Sequence, residues 1–388
     1  MIRNISIGIE IGSAKTRVVV GELQKGEKHP SVIGIGEWES EGIRHGYVVN
    51  PTLASESIRT AVSMAEKSAG IRIRKAAIAL GGTTLSGETL SGEAIISKAD
   101  GEVTPLDIEK ALEDCESKVQ SNNKKIIRIV PLSYKLDGKE ILGRPEGLKG
   151  TKLEVKALFV TCLNQHVEDL IEAVTLAGIE PTDIVPSIFS ASNIALSAKQ
   201  KVVGAALVNI GSETVSVGVF ENESIISLHT FSIGSSDITN DIALGMKVSL
   251  EKAEDLKLGN IDPVFPKKKL DEIVDARLSD IFELIENHLK KIKRNGLLPA
   301  GIVFIGGGAN VANLEELSKE ALRLPSAVGS TDMFSNSVKT KLRDPSWFAV
   351  LGLLNPSNDD YEYSSSSSSG LWKNLKNIVK SSIKQLLP

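Results

Sequence analysis

The sequence predicts an α/β fold of two related halves, with a small α+β insert in the first half and an amphipathic C-terminal helix on a flexible linker. Three observations predict it. The pattern Ile9-Glu10-Ile11-Gly12-Ser13 returns as Val208-Asn209-Ile210-Gly211-Ser212, each time at the end of an apolar strand that turns back on itself. Residues 83–162 interrupt the first half with short strands and one helix. The last segment, 371–388, puts its apolar side chains on one half of a helical wheel.

The elements follow in order. Residues 5–11 and 17–23 read as a hairpin, and 33–38 continues the meander. The apolar spacing of 51–69 is helical, and 76–80 is a short strand punctuated by Gly81-Gly82. In the insert, Thr104 caps a helix with Pro105 in its first turn and Asp107 against its dipole. Strands follow at 126–134 and 153–162, then helices at 165–177 and 188–198. The opening pattern recurs over 204–214, with strands at 215–220 and 224–229. Helices are expected from 237, over 250–256 and over 270–294, then a buried strand at 302–305 and helices at 314–322 and 346–354. The expected domains are 1–82, 163–199 and 326–355 for the first half, 83–162 for the insert, and 200–325 for the second half, with 232–299 as its outer subdomain.

Composition narrows the function classes. Over 388 residues, 41% hydrophobic and 24% charged, the chain reads as a globular protein with substantial cores. A net charge of −4 without a basic stripe argues against nucleic acid. Cys115 and Cys162 have neither metal-ligand nor disulfide spacing and read as reduced thiols. The first residues run straight into a strand pattern without a signal peptide, so a cytoplasmic protein is expected.

The C-terminus is built differently. Residues 356–370 include a run of six serines, a flexible tether that cannot pack a core. Beyond it, Leu371, Trp372, Leu375, Ile378, Val379, Ile383 and Leu386 share one helical face, flanked by Lys373, Lys376, Lys380 and Lys384. Charge recurs too often for a span, so the segment is expected to lie in an anionic lipid surface, making the protein peripheral to the membrane.

Glycine turns near residues 12, 211 and 307 each end an apolar strand, and such turns let backbone N–H groups approach phosphate. With Ile9 to Lys15, Val208 to Thr214 and Phe304 to Ala309, the chain resembles the actin, Hsp70 and sugar-kinase ATPase superfamily, and within it the bacterial cell-division family FtsA. Supporting stretches are 142–150, 160–164, 238–243 and 253–257. The resemblance implies an actin-like duplicated ATPase fold with ATP and Mg²⁺ in a cleft between the halves. It implies a first phosphate loop of Gly12, Ser13, Ala14 and Lys15 and a second of Asn209, Gly211, Ser212 and Glu213. Gly306, Gly307 and Gly308 would lie against the nucleoside, Glu254 and Lys257 on ribose and adenine, and Glu10 would orient Mg²⁺ through water.

Two departures imply weak or absent turnover. Asn209 stands where relatives carry an acid, and an amide lacks the charge to hold Mg²⁺ or polarise water. The stretch 186–198 contains no Asp or Glu to position an attacking water. The resemblance further implies a polymerising tether that attaches the FtsZ ring to the cytoplasmic face of the inner membrane at the division site and helps recruit other division proteins. The FtsZ C-terminal peptide is expected on the outer subdomain, where Arg277, Lys290 and Arg294 belong to a basic cluster. The alternatives are a pilus-assembly protein of the PilM kind and a small-molecule kinase of the same superfamily. The tail argues against the first and the missing base against the second.

Overall fold

The computed structural model describes residues 4–27, 29–119, 123–260, 265–331 and 340–355. The linker and helix expected at 356–388 lie outside the described residues.

The chain begins with an antiparallel meander of β1 (Asn4–Ile11), β2 (Lys15–Leu23) and β3 (Ser31–Glu39). A short hairpin, β4 (Ile43–Arg44) and β5 (Tyr47–Val48), leads into α1 (Pro51–Ala69). The Asn50 side chain accepts from the Leu53 N–H at 3.2 Å to start α1, Pro51 fits the first turn, and left-handed Gly70 ends it. This helix lies on β3 so closely that a Cβ on Gly36 would sit 1.9 Å from the Ala61 carbonyl oxygen. β6 (Lys75–Leu80) then joins β1 in parallel.

Next come β7 (Ser86–Ile95), α2 (Pro105–Ser117), β8 (Lys124–Leu136), β9 (Lys139–Ile141) and β10 (Lys152–Leu163), whose strands form a separate sheet in the order β7-β10-β8-β9. Residues Glu88–Thr161 make a compact unit of their own. Its core includes Ile108, Ala111, Leu112 and Cys115 of α2 with Leu153, Val155 and Phe159 of β10. Asp107 closes a capping box with Thr104 and also accepts from Ser97, hydrogen bonds that overcome burial and lower its carboxyl to about 2.

The first half closes with α3 (Asn164–Leu176) and β11 (Glu180–Pro186), which pairs in parallel with β6 at the sheet edge. After α4 (Ser187–Ala195) and α5 (Ala198–Val203) comes a second meander, β12 (Ala205–Ile210), β13 (Val215–Glu221) and β14 (Ser224–Phe231). Helices α6 (Ser235–Met246), α7 (Leu250–Lys257) and α8 (Lys267–Lys291) follow, then β15 (Ile302–Ile305) parallel to β12. The body ends with α9 (Leu314–Leu322), β16 (Ser326–Val328) parallel to β15, and α10 (Phe348–Gly352).

The two five-stranded sheets have the same topology. The first runs β3-β2-β1-β6-β11 and the second β14-β13-β12-β15-β16, each with three antiparallel strands followed by two parallel additions. The repeat read in the sequence is therefore a repeat of whole sheets. The helix predicted over 188–198 is α4, which stops at Ala195 because Leu196 leaves helical geometry and Ser197 opens α5 with a capping box to Gln200. The helix expected over 346–354 is a 3₁₀ turn, Pro345–Trp347, followed by the short α10.

Candidate functional site

The duplicated turns have the same backbone chemistry. In the first, the Gly12 N–H donates to the Lys15 carbonyl at 3.1 Å. In the second, the Gly211 N–H donates to the Thr214 carbonyl at 2.8 Å. Both border one cleft of about 800 Å³. Gly12, Ser13, Ala14 and Lys15 line it from the first half, and Asn209, Gly211 and Ser212 from the second. Glu254 and Lys257 of α7 reach the same cleft, as do Gly306 and Gly307 beyond β15.

The loop after β15 is shaped by a close approach. Gly306 has φ +87°, and a Cβ there would lie 2.2 Å from Asn209 Oδ1 and 2.4 Å from the Ile210 carbonyl oxygen. A Cβ on Gly307 would meet nothing within 4 Å. The first glycine fits the loop to its neighbour strand, and the second leaves one face of the cleft bare. Gly308 packs against Ile210 and is not in the lining.

Lys257 is nearly enclosed, with 6% of its side chain exposed. Its ammonium lies 2.7 Å from Glu254 Oε2 and donates to Thr239 Oγ1 at 2.9 Å and the Ser235 carbonyl at 3.2 Å. Thr239 in turn donates to Glu254 at 2.6 Å. The network fixes both side chains at the cleft rim.

Glu10 lies at the inner end of β1. Its Oε2 is buried and has no hydrogen-bond partner, with Arg17 Nη1 3.9 Å away. Burial pushes its carboxyl up, and the Arg17 charge only partly opposes this. An orphaned carboxylate oxygen on a cleft wall fits a hydrated divalent cation. Among the described residues no group of three or more His, Cys, Asp or Glu forms a preassembled metal cage.

Two family models match the chain. One, Cell division protein FtsA, covers residues 206–352, and the other, the SHS2 domain inserted in FTSA, covers 82–161. Together they span more than half of its length. The chain belongs to the FtsA family.

Relatives of this FtsA-family chain include Cell division protein FtsA of Bacillus subtilis, 27% identical over 90% of this chain and 82% of the relative. Cell division protein FtsA of Pseudomonas aeruginosa is also 27% identical, over 90% of this chain and 88% of the relative. Among solved structures, the PilM-PilN type IV pilus biogenesis complex matches at 17% identity with a TM-score of 0.68, covering 90% of this chain and 97% of the matched one. MreB5 of Spiroplasma citri bound to ADP matches at 13% identity with a TM-score of 0.51, over 90% of this chain and 94% of the other. These likenesses show that this FtsA-family chain has the actin-like fold.

The site departs from the sequence reading at several residues. Glu213 is not in the cleft lining. Its carboxylate accepts from Arg44 Nη1 at 3.1 Å and from the His45 backbone N–H at 2.6 Å, gripping the β4–β5 hairpin of the first half. From the same hairpin, the Gly46 N–H donates to Ser13 Oγ at 3.0 Å, so the hairpin tip bridges both turns. Lys15 does line the cleft, but its ammonium stands 3.6 Å from Glu39 and 4.0 Å from Glu37.

The sequence reading offers Arg277, Lys290 and Arg294 to an acidic partner, and the structure pairs all three within the chain. Arg277 donates to Asp241 at 2.6 and 3.1 Å and to Asp280 at 3.2 Å. Arg294 forks onto Glu221 at 2.5 and 2.8 Å. Lys290 pairs with Glu286, one helical turn away, at 2.9 Å. A guanidinium with both edges engaged has little left for a peptide, so this basic cluster is largely neutralised.

Sequence reasoning passed over Arg17, Glu37 and Lys341, which also line the cleft. The signal was available for two of them: pairing the predicted strands in register puts Arg17 and Glu37 in one row with Glu10.

The two cysteines are free and buried. Burial raises the Cys115 thiol to about 11, and Cys162 is likewise raised. Among the described residues no helix is long and apolar enough to cross a membrane. The membrane-binding side chains expected at 371–388 lie outside the described residues.

Proposed function

We propose that this chain is an ATP-binding cell-division scaffold that polymerises and tethers the FtsZ ring to the inner membrane through its C-terminal helix. The observation that carries the nucleotide reading is the pair of equivalent glycine turns on one cleft, with the bare Gly307 beside them. Backbone N–H groups of the turns would receive phosphate oxygens, and the open glycine face would accept the flat nucleoside.

Glu10 is the residue of this chain that fits Mg²⁺, held through water. The ion when bound supplies positive charge against the phosphates. The Glu254–Lys257–Thr239 network would present fixed polar groups to the ribose and base. Asn209 lines the cleft as an amide, and α4, which brings Ser187 to the same wall, contains no carboxylate. With no carboxylate at these two places to polarise an attacking water, nucleotide here serves as a polymer-state ligand with slow turnover.

The family supports a place in cell division, and the tail pattern supports attachment to anionic lipid. FtsZ, further copies of this chain and other division proteins are the proposed partners. The decisive experiment is co-pelleting with anionic liposomes, with and without residues 371–388 and in the presence of FtsZ. Recruitment of FtsZ that needs the tail supports the tether, and recruitment unaffected by its removal refutes it.

A further inference from the structure

One carboxylate on the first-half wall of the cleft is shared by three cations. Glu37, on β3, faces Arg17 on β2, and Arg17 in turn faces Glu10 on β1. Arg17 Nε donates to Glu37 Oε1 at 3.0 Å. Lys341 Nζ lies 2.5 Å from Glu37 Oε2, and Lys15 Nζ lies 4.0 Å from the same oxygen. The side chain of Glu37 is 13% exposed, against 40% for Lys15 and 52% for Lys341. The carboxylate is therefore held in the wall, while two flexible ammonium groups lean on it from the open cleft.

Burial pushes the Glu37 carboxyl up, but Lys341, Arg17 and Lys15 outweigh it and hold the group below its ordinary value. The glutamate is thus a charged anion facing three cations. The two oxygens of Glu37 serve these three cations unevenly: Lys15 stands 4.0 Å away and is nearer to Glu39, at 3.6 Å. A terminal phosphate brings three oxygens and more negative charge. Lys15 closes the first glycine turn and lines the cleft, so its side chain is within reach of a phosphate seated on that turn.

We propose that Glu37 is a placeholder for the terminal phosphate of a nucleoside triphosphate. It holds Lys341, and together with Glu39 holds Lys15, when that phosphate is absent; both lysines turn to the phosphate on binding, whereas a diphosphate leaves them on these carboxylates. This rests on the nucleotide reading of the cleft and adds the residues that tell triphosphate from diphosphate. The exchange has a built-in reporter. Arg17 and Lys341 both lie over the Trp347 ring, 5.5 and 5.4 Å from its centroid. Departure of Lys341 removes one of those charges, while Arg17 stays on Glu37.

The test is equilibrium binding of ATP and ADP with Mg²⁺ to the full chain and to its Lys341→Met and Glu37→Gln variants. Lys341→Met is expected to weaken ATP about five- to tenfold and ADP less than about twofold. Glu37→Gln, which frees Lys341 and leaves Lys15 only Glu39, is expected to tighten ATP by more than it tightens ADP. In a Trp38→Phe, Trp372→Phe background, ATP should change Trp347 emission and ADP should not. Equal shifts for both nucleotides in the two variants overturn the placeholder role. If Glu37→Gln fails to fold, Lys341→Met decides alone, since that exposed side chain can be replaced without opening the core. An unmodified chain that binds neither nucleotide overturns the nucleotide reading itself, and this role with it.

Discussion

The Glu213 carboxylate accepts the His45 backbone N–H at 2.6 Å, across the gap between the two halves of the body. The residue immediately follows Ser212 of the second glycine turn, and its partner is at the tip of a hairpin in the first half. Burial pushes the Glu213 carboxyl up, yet hydrogen bonds from His45, Arg44 and Ser13 outweigh it and hold the group below 4.5. A depressed carboxylate stabilises the fold fully above its ordinary value, and that contribution fades as pH falls through the folded value. Glu213→Gln should therefore cost about 1–3 kcal/mol at pH 7, with the deficit shrinking below about pH 4.5. Thermal unfolding of both proteins across pH checks this. A deficit that stays constant down to pH 3 would contradict the charge-based account.

Gly306 and Gly307 are neighbours with opposite tolerances. Gly306→Ala combines a left-handed φ with a collision against Asn209 and Ile210, and should destabilise by about 2–5 kcal/mol. Gly307→Arg meets open space, so it should fold with a melting temperature near that of the unmodified chain. Its side chain enters the cleft, and nucleotide affinity should drop at least about tenfold, or 1.4 kcal/mol. Unchanged affinity in a folded Gly307→Arg protein would remove the nucleoside from this face.

Arg294 and Glu221 form a fork that ties the end of α8 to β13, and Arg277 with Asp241 ties α8 to α6. Both are partly exposed pairs, so screening tempers their worth. Reversal to Arg294→Glu places two carboxylates together and should cost about 1–3 kcal/mol, measured by denaturant unfolding. A double-mutant cycle with Glu221→Arg should recover part of that loss. A loss of peptide binding without any loss of stability would instead return this arginine to the partner surface.

The tail prediction follows from additive weak forces. Each lysine near an anionic surface contributes about 1 kcal/mol, and the helix must fold as it binds. Single tails should detach readily, and a polymer carrying many tails on serine tethers should hold by avidity. Trp372→Glu should release the protein from anionic liposomes and leave nucleotide binding intact. Monomers that sediment with liposomes as completely as polymers, at physiological salt, would show a stronger anchor than this.

Much of the fold is legible because its long elements follow simple periodicities. Helix α1 carries its own start and stop in Asn50, Pro51 and Gly70, and the two meanders announce themselves by repeated apolar strands. β11 was hidden because Pro181 and Pro186 do not look like a strand, although an edge position with a register shift accommodates them. β4 and β5 are two residues each, too short to show alternation. At the site, backbone features were readable because glycine betrays them. Side-chain roles were not: Glu213 next to a glycine turn looks like a ligand group until the chain brings Arg44 and His45 to it from about 170 residues away.

The matching strand orders of the two sheets are those of one unit used twice, as in a symmetric pair of identical units. In such a pair the two turns on the central axis are indistinguishable, and an elongated ligand lying between them can seat either way round. The present turns match in backbone and differ in side chains. One ends in Lys15, beside Glu37 and Glu39; the other carries Glu213, committed to the opposite half. Side chains that differ between the two turns give the cleft a direction, so a ligand with a charged end and a flat end would meet two unlike ends.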